Sequence, residues 1–198
     1  KKEKSIVIYN PAFTEPKLSK VDLPEEVIPW SQTHGTKIIA VANLKTQKNY
    51  PNLIRSMKIL KQDKKIDYKL LIVGDGPRRS EIEELILEKN LNEDICLLGY
   101  YSDPLNLINL ADIFVLPSDF EGFGLVIVEA LSLGKTVVST DCKSGPAEII
   151  GNNEYGYLCK VDDSKDLAEK IEYAINHKID KEILIKRARD FSVEKIGI

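Results

Sequence analysis

The sequence predicts an α/β fold, a doubly wound, Rossmann-like parallel sheet with helices on both faces, on two observations. Short β-type runs alternate with helical periodicities from Thr36 almost to the end of the 198-residue chain. Most of those runs are continuously apolar, as strands covered on both faces must be. Parallel neighbours need crossovers of one hand, and these wind such a sheet outward in both directions.

The elements follow in order. "SIVIYNPAF" is a short β-like opening run, and Glu15 to Gly35 reads as a Pro-rich polar connector with little regular structure. "TKIIAVAN" is a strand, and "NYPNLIRSMKILKQDK" is a helix with Leu53, Ile54, Met57 and Leu60 on one face. "DYKLLIVGDGP" is a strand and turn, with Pro77 placed to open the helix "RRSEIEELILEKN". "DICLLGYY" is a strand; "DPLNLINLA" is a short helix capped by Asp103, with Pro104 in its first turn.

"DIFVLPS" and "KTVVSTD" are strands, and the β-branched "LVIV" between them resembles a third. Two parallel neighbours need a crossover, however, so a buried helix is expected from Leu125 to Leu133, with Gly134 as its cap. "GPAEIIG" makes one or two helical turns, "YGYLCKV" a short strand, and "DDSKDLAEKIEYAINHK" a helix begun by Asp163 or Ser164. A last helix runs from Lys181 to Asp190.

Composition is that of an ordinary globular protein: 43% hydrophobic, 30% charged, formal charge -3. It suggests neither a nucleic-acid surface nor an acidic tail. No apolar stretch reaches the roughly 20 residues of a membrane span, and the start lacks a signal-peptide core, so a cytoplasmic location is expected. Cys96, Cys142 and Cys159 are odd in number and widely spaced, which favours free thiols over disulfides or a zinc site. His34 and His177 read as surface residues.

Ligands of such a sheet bind beyond the carboxyl ends of its strands. "GDGP" follows one of them, but Arg79 stands where a dinucleotide fingerprint needs its third glycine. A tight turn is one reading; Gly74 and Gly76 admitting a phosphate or sugar to the backbone is the other. In "DFEGFGLVIVEALSLGKTVVST", Gly122-Phe123-Gly124 runs into a helix N-terminus, whose free N–H groups and partial positive charge suit a phosphate.

Glu129 lies one turn into that apolar helix, where a carboxylate is costly to bury without donors; a ribose diol supplies two. A salt bridge to a nearby Lys or Arg is the alternative. Glu121 reads either as a ligand contact or as a loop residue or cap. As a hydrolase acid/base pair, Glu121 and Glu129 would stand roughly 12 Å apart along a helix axis, beyond the roughly 5 to 9.5 Å such pairs need. Lys48, after the first central strand, either neutralises a diphosphate or is solvated. Asp162-Asp163 reads as a helix cap, and no metal is assigned.

"PSDFEGFGLVIVEALSLGKTVVSTDCKSGPAEII" closely resembles the donor-binding segment of retaining family 4 glycosyltransferases of the GT-B fold, whose signature is Glu, seven residues, Glu. "VANLKTQKNYPNLI" and "LLIVGDGPRRSEIEELI" are similar to that family's preceding segments, so the resemblance runs from Thr36 to Phe191. It implies that Lys48 contacts the donor diphosphate, that the backbone of Gly122, Phe123, Gly124 and Leu125 meets phosphate and sugar, and that Glu121 binds sugar hydroxyls. Glu129 would bind the ribose, and the loop of Gly99 and Tyr100 would cover the base.

Lys48 and Glu121 are thus the candidate catalytic residues; Asn43 and Gly74 complete the donor-binding set. Asn43 stands where the family usually has an Arg that partners the Lys on the diphosphate, which lowers the positive charge expected there.

GT-B enzymes have two such domains. Residues 1–35 resemble the hinge strand and a connector, and 36–198 the second, donor-binding domain, with the N-terminal acceptor domain outside this chain. The implied parent moves a sugar from a nucleotide diphosphate, UDP first, to a glycan or lipid-linked acceptor in bacterial surface polysaccharide synthesis. No cofactor or metal is expected, and no nucleic acid. The parent is expected to be cytoplasmic, with peripheral association at the inner face of the membrane open to it. A non-catalytic nucleotide-sugar-binding module is the alternative; a dehydrogenase would need the absent glycine fingerprint.

Overall fold

The computed structural model describes residues 12–19 and 22–196. Its six strands are β1 (Thr36–Val41), β2 (Tyr68–Val73), β3 (Ile95–Gly99), β4 (Ile113–Leu116), β5 (Thr136–Thr140) and β6 (Tyr157–Cys159). They form one all-parallel sheet in the order β3-β2-β1-β4-β5-β6. The order reverses between β1 and β4. That switch point opens a crevice at the carboxyl ends of the strands, because the chain leaves those two neighbours toward opposite faces.

Successive residues of a strand point to opposite faces, and both faces are dry here. Ile38, Leu70, Ile113 and Val138 enter one core, with α2 (Tyr50–Gln62), α3 (Arg79–Glu88) and α7 (Ser164–Asn176). Ile39, Leu71, Phe114 and Val137 enter the other, with α4 (Pro104–Leu110), α5 (Leu125–Ser132), α6 (Pro146–Ile150) and α8 (Lys181–Arg189). The expected stripe of α2 is wholly buried at Leu53, Ile54, Met57 and Leu60, each contributing about 1.5–3 kcal/mol relative to an exposed position.

Several expectations need correction. The stretch from Glu15 to Gly35 contains a 3₁₀ turn, Glu25–Val27, and a one-turn helix α1 (Ile28–Ser31). Its Trp30 is 1% exposed, with the indole N–H donating to Ile38 O at 2.9 Å. A single large aromatic therefore fastens a Pro-punctuated segment to the sheet. Pro77 lies in the turn before α3, whose N-cap is Arg78. Asp103 occupies the N-cap position of α4, but its carboxylate accepts from the Asn106 side chain instead of capping the backbone.

A further turn of helix, α9 (Val193–Ile196), follows the last one expected. The β-like run at 5–13 falls mostly outside the described residues. Within them, Ala12 and Phe13 donate to Phe191 O at 2.9 and 3.0 Å, and Phe13 bridges Ser192 in parallel.

Candidate functional site

The loops after β1 and β4 meet at the switch point around a cavity of about 670 Å³, within the range of small-molecule sites. Its lining includes Asn43, Lys48, Glu121, Gly122, Phe123, Gly124 and Leu125. Residues more than 70 positions apart in sequence thus share one mouth.

Beyond β1 the chain makes a 3₁₀ turn, Thr46–Lys48, ended by Asn49 in the left-handed conformation. Lys48 Nζ lies 2.6 Å from Glu121 Oε1. Ser118 Oγ donates to the same oxygen at 2.6 Å, Thr140 donates to Ser118 O, and Ser144 Oγ donates to Glu121 O at 3.1 Å. The whole carboxylate is nearly dry. Both donors go to Oε1, and Lys48 spends one of its three N–H groups on it.

Gly124, at φ 89°, turns the chain into α5 without a side-chain cap, leaving the first N–H groups of the helix at the cavity. The expected crossover helix and its left-handed Gly134 are both present. Gly145 closes the other side of this loop: a Cβ there would come within 2.2 Å of Phe123 O. Phe123 itself packs edge-on against Phe191 at 5.6 Å.

Three candidates lie elsewhere. Gly74 does not line the cavity. A Cβ on it would sit 1.9 Å from Ala42 O, and one on Gly76 would sit 2.8 Å from the Leu44 backbone, so both glycines let the loops after β1 and β2 pack together. Tyr100 is 78% exposed beyond the edge-side strand β3 and is not a lining residue.

Glu129 is half-buried on α5 and borders a separate small cavity with Phe13, Pro16, Leu105 and Ser132. Burial pushes its carboxyl above the usual glutamate value, with no charged group assisting. The alternative salt bridge is not formed among the described residues.

Sequence reasoning missed Ser118, Asn49 and Asp119, which brace the two loops. An Asn immediately after a turn and before a Pro-initiated helix was the available sign of a left-handed cap. Among the described residues no three His, Cys, Asp or Glu side chains gather as a metal-holding group. Asp163 caps α7 by accepting from Lys165 N and Asp166 N. All three cysteines are free. No described helix is long and apolar enough to cross a membrane.

The family "Glycosyl transferases group 1" matches residues 29–191. An N-acetylgalactosamine-N,N'-diacetylbacillosaminyl-diphospho-undecaprenol 4-alpha-N-acetylgalactosaminyltransferase of Campylobacter jejuni is 38% identical over 130 residues, 66% of this chain and 34% of that protein. A solved S. aureus TarM variant in complex with Fondaparinux, alpha-GlcNAc-glycerol and UDP superposes with TM-score 0.71 and 27% identity, over 93% of this chain and 36% of that one. A glycosyltransferase from Rickettsia africae superposes with TM-score 0.76 and 26% identity, over 88% and 50%. The chain therefore spans between about a third and a half of these relatives.

Proposed function

The chain belongs to the group 1 glycosyl transferases, a GT-B family, and from that premise we propose that residues 36–198 are the C-terminal, donor-binding domain of a retaining enzyme, with 1–35 as hinge and connector. Its donor is a UDP-sugar, of N-acetylhexosamine type first. Its acceptor is a glycan or lipid-linked glycan of a bacterial surface polysaccharide, held by the companion domain. The parent works in the cytoplasm, peripherally at the inner face of the membrane.

The observation that carries this reading is the pairing of Lys48 with Glu121 at a switch-point cavity into which the uncapped start of α5 opens. The two free N–H groups of Lys48 and the backbone N–H groups at Gly124 and Leu125 suit a departing diphosphate, a stabilisation by preorganised dipoles and charge. The second oxygen of Glu121, Oε2, suits a sugar hydroxyl and the positive charge that develops on the sugar. With these groups the transfer needs no metal or cofactor. Glu129 and Tyr100 lie outside this cavity, so the rest of the donor would extend beyond it, its ribose hydroxyls toward Glu129 and its base toward Tyr100. UDP in a related solved complex supports the choice of carrier.

Calorimetry tests the site. UDP should bind the wild-type protein, and Lys48→Ala and Glu129→Ala should each weaken binding; unchanged affinity in both variants would sink the assignment. Turnover of a UDP-sugar by the full-length protein separates an enzyme from a non-catalytic binding module.

A further inference from the structure

We infer that Asn49 and Asp119 are positioning residues that hold Lys48 against Glu121, an inference that rests on the donor-site reading of that pair. Asn49 has φ 40° and ψ 48°, a left-handed conformation that asparagine tolerates better than most side chains. In that conformation it does two things at once. Its N–H closes the 3₁₀ turn on Thr46 O at 3.0 Å, and its Oδ1 caps α2 by accepting from Asn52 N at 3.2 Å.

The remaining end of the amide then has one direction. Asn49 Nδ2 donates to Asp119 Oδ1 at 2.6 Å and to Asp162 Oδ1 at 3.0 Å, with the residue only 8% exposed. Asp119 returns the contact through its backbone, donating to Gln47 O at 2.8 Å. The residues on both sides of Lys48 are therefore fixed to Asp119, which lies two positions before Glu121.

The consequence is a closed ring across the switch point. The 46–49 turn follows β1, the 118–121 loop follows β4, and α2 is anchored in the core through Leu53 and Ile54. Lys48 has a flexible four-carbon stem, and a pair formed by it in solution would cost side-chain entropy to hold. With both flanking residues fixed, the Lys48 backbone is held within reach of Glu121, so only the side-chain torsions remain to be ordered before a ligand arrives, which favours a preorganised site. Asp162, after β6, is the outer support: it also lies 3.5 Å from Arg55.

The test uses the full-length protein, with UDP affinity by calorimetry and kcat and KM for UDP-N-acetylglucosamine and UDP-glucose. Asp119→Ala should lower UDP affinity about 5- to 10-fold. Asn49→Gly, which keeps the left-handed backbone and loses the amide, should do the same. Asp119→Asn retains an acceptor oxygen and should recover to within about 2-fold of wild type.

The decisive measurement is a cycle with Lys48→Ala. In that background Asp119→Ala should cost less than about 2-fold, because there is no longer an ammonium to position. An equal loss in both backgrounds would mean a merely structural role and overturn the inference, as would wild-type affinity and kinetics in Asp119→Ala and Asn49→Gly. A wild-type protein that neither binds UDP nor uses any UDP-sugar removes the donor-site reading, and the inference with it; that outcome is distinct from active wild type with unaffected variants.

Discussion

Lys48 Nζ stands 2.6 Å from Glu121 Oε1, and the two side chains are only 14% and 9% exposed. A charge pair this dry is stable only as a pair, because the Coulomb gain mainly offsets desolvation of both groups. Lys48→Met should therefore lower stability by roughly 2–3 kcal/mol, somewhat below the cost for a wholly buried pair. Lys48→Met combined with Glu121→Met should recover most of the loss. Urea denaturation reads both, and a Lys48→Met protein as stable as wild type would contradict the account.

Asn43 lines the same cavity, whose other charges, Lys48 and Glu121, already neutralise each other. A diphosphate held there would meet one cation that is partly engaged. Asn43→Arg adds a planar fork suited to two phosphate oxygens and should raise UDP affinity about 3- to 10-fold, more at low salt than at high. Calorimetry at two ionic strengths checks it; an unchanged or weakened affinity would place the diphosphate elsewhere.

Gly122 is the one described glycine that the fold does not explain. Every other has a positive φ or would bring a Cβ within 3.4 Å of an atom, whereas a Cβ on Gly122 meets nothing within 4 Å. Gly122→Ala should accordingly leave stability unchanged or raise it by about 0.4–1 kcal/mol. If a donor occupies the cavity, UDP-sugar affinity should fall about 10-fold, the cost of a methyl group in filled space. A loss of stability would instead assign this glycine to folding.

The sheet was legible in the sequence because each strand is a short apolar run bounded by turn residues. The placing of α5 was legible despite its β-branched residues, since β4 and β5 pair directly and need a crossover. The turn carrying Trp30 was not, because Pro24 and Pro29 read as punctuation and burial of one aromatic leaves no periodicity. Lys48 and Glu121 could each be nominated from local pattern. Their mutual contact could not, since it spans 73 positions and depends on strand order. Gly74 shows the reverse: its neighbourhood in sequence suggests a ligand, and its neighbourhood in space is Ala42 O.

Asn52 sits fully buried on α2, and neither Oδ1 nor Nδ2 has a hydrogen-bond partner. Unpaired polar atoms in a core are costly, and leucine has the same forked outline at a somewhat larger volume. Asn52→Leu should stabilise the domain by roughly 1–2 kcal/mol. The backbone N–H of residue 52 still donates to Asn49, so the helix start is retained. A destabilised variant in thermal denaturation would show that the amide is satisfied in solution.

Glu129 offers the pH-dependent test. Its carboxyl is raised by burial alone, so the folded chain holds that proton more tightly than the unfolded chain does. For a group raised in this way, the stabilising contribution is present below the ordinary glutamate value and is lost as pH rises through the folded one. Glu129→Gln lacks that term; its stability relative to wild type should increase across this window and level off above it. Ribose hydroxyls would act in the opposite sense, because they donate to the ionised carboxylate and favour it. Wild-type affinity for UDP should therefore drop, relative to Glu129→Gln at each pH, as the pH is lowered through the folded value, and bound UDP should pull the carboxyl back toward its ordinary range. Parallel pH profiles of UDP affinity in the two proteins would separate Glu129 from the ribose and leave it as a half-buried carboxylate beside Phe13 and Pro16.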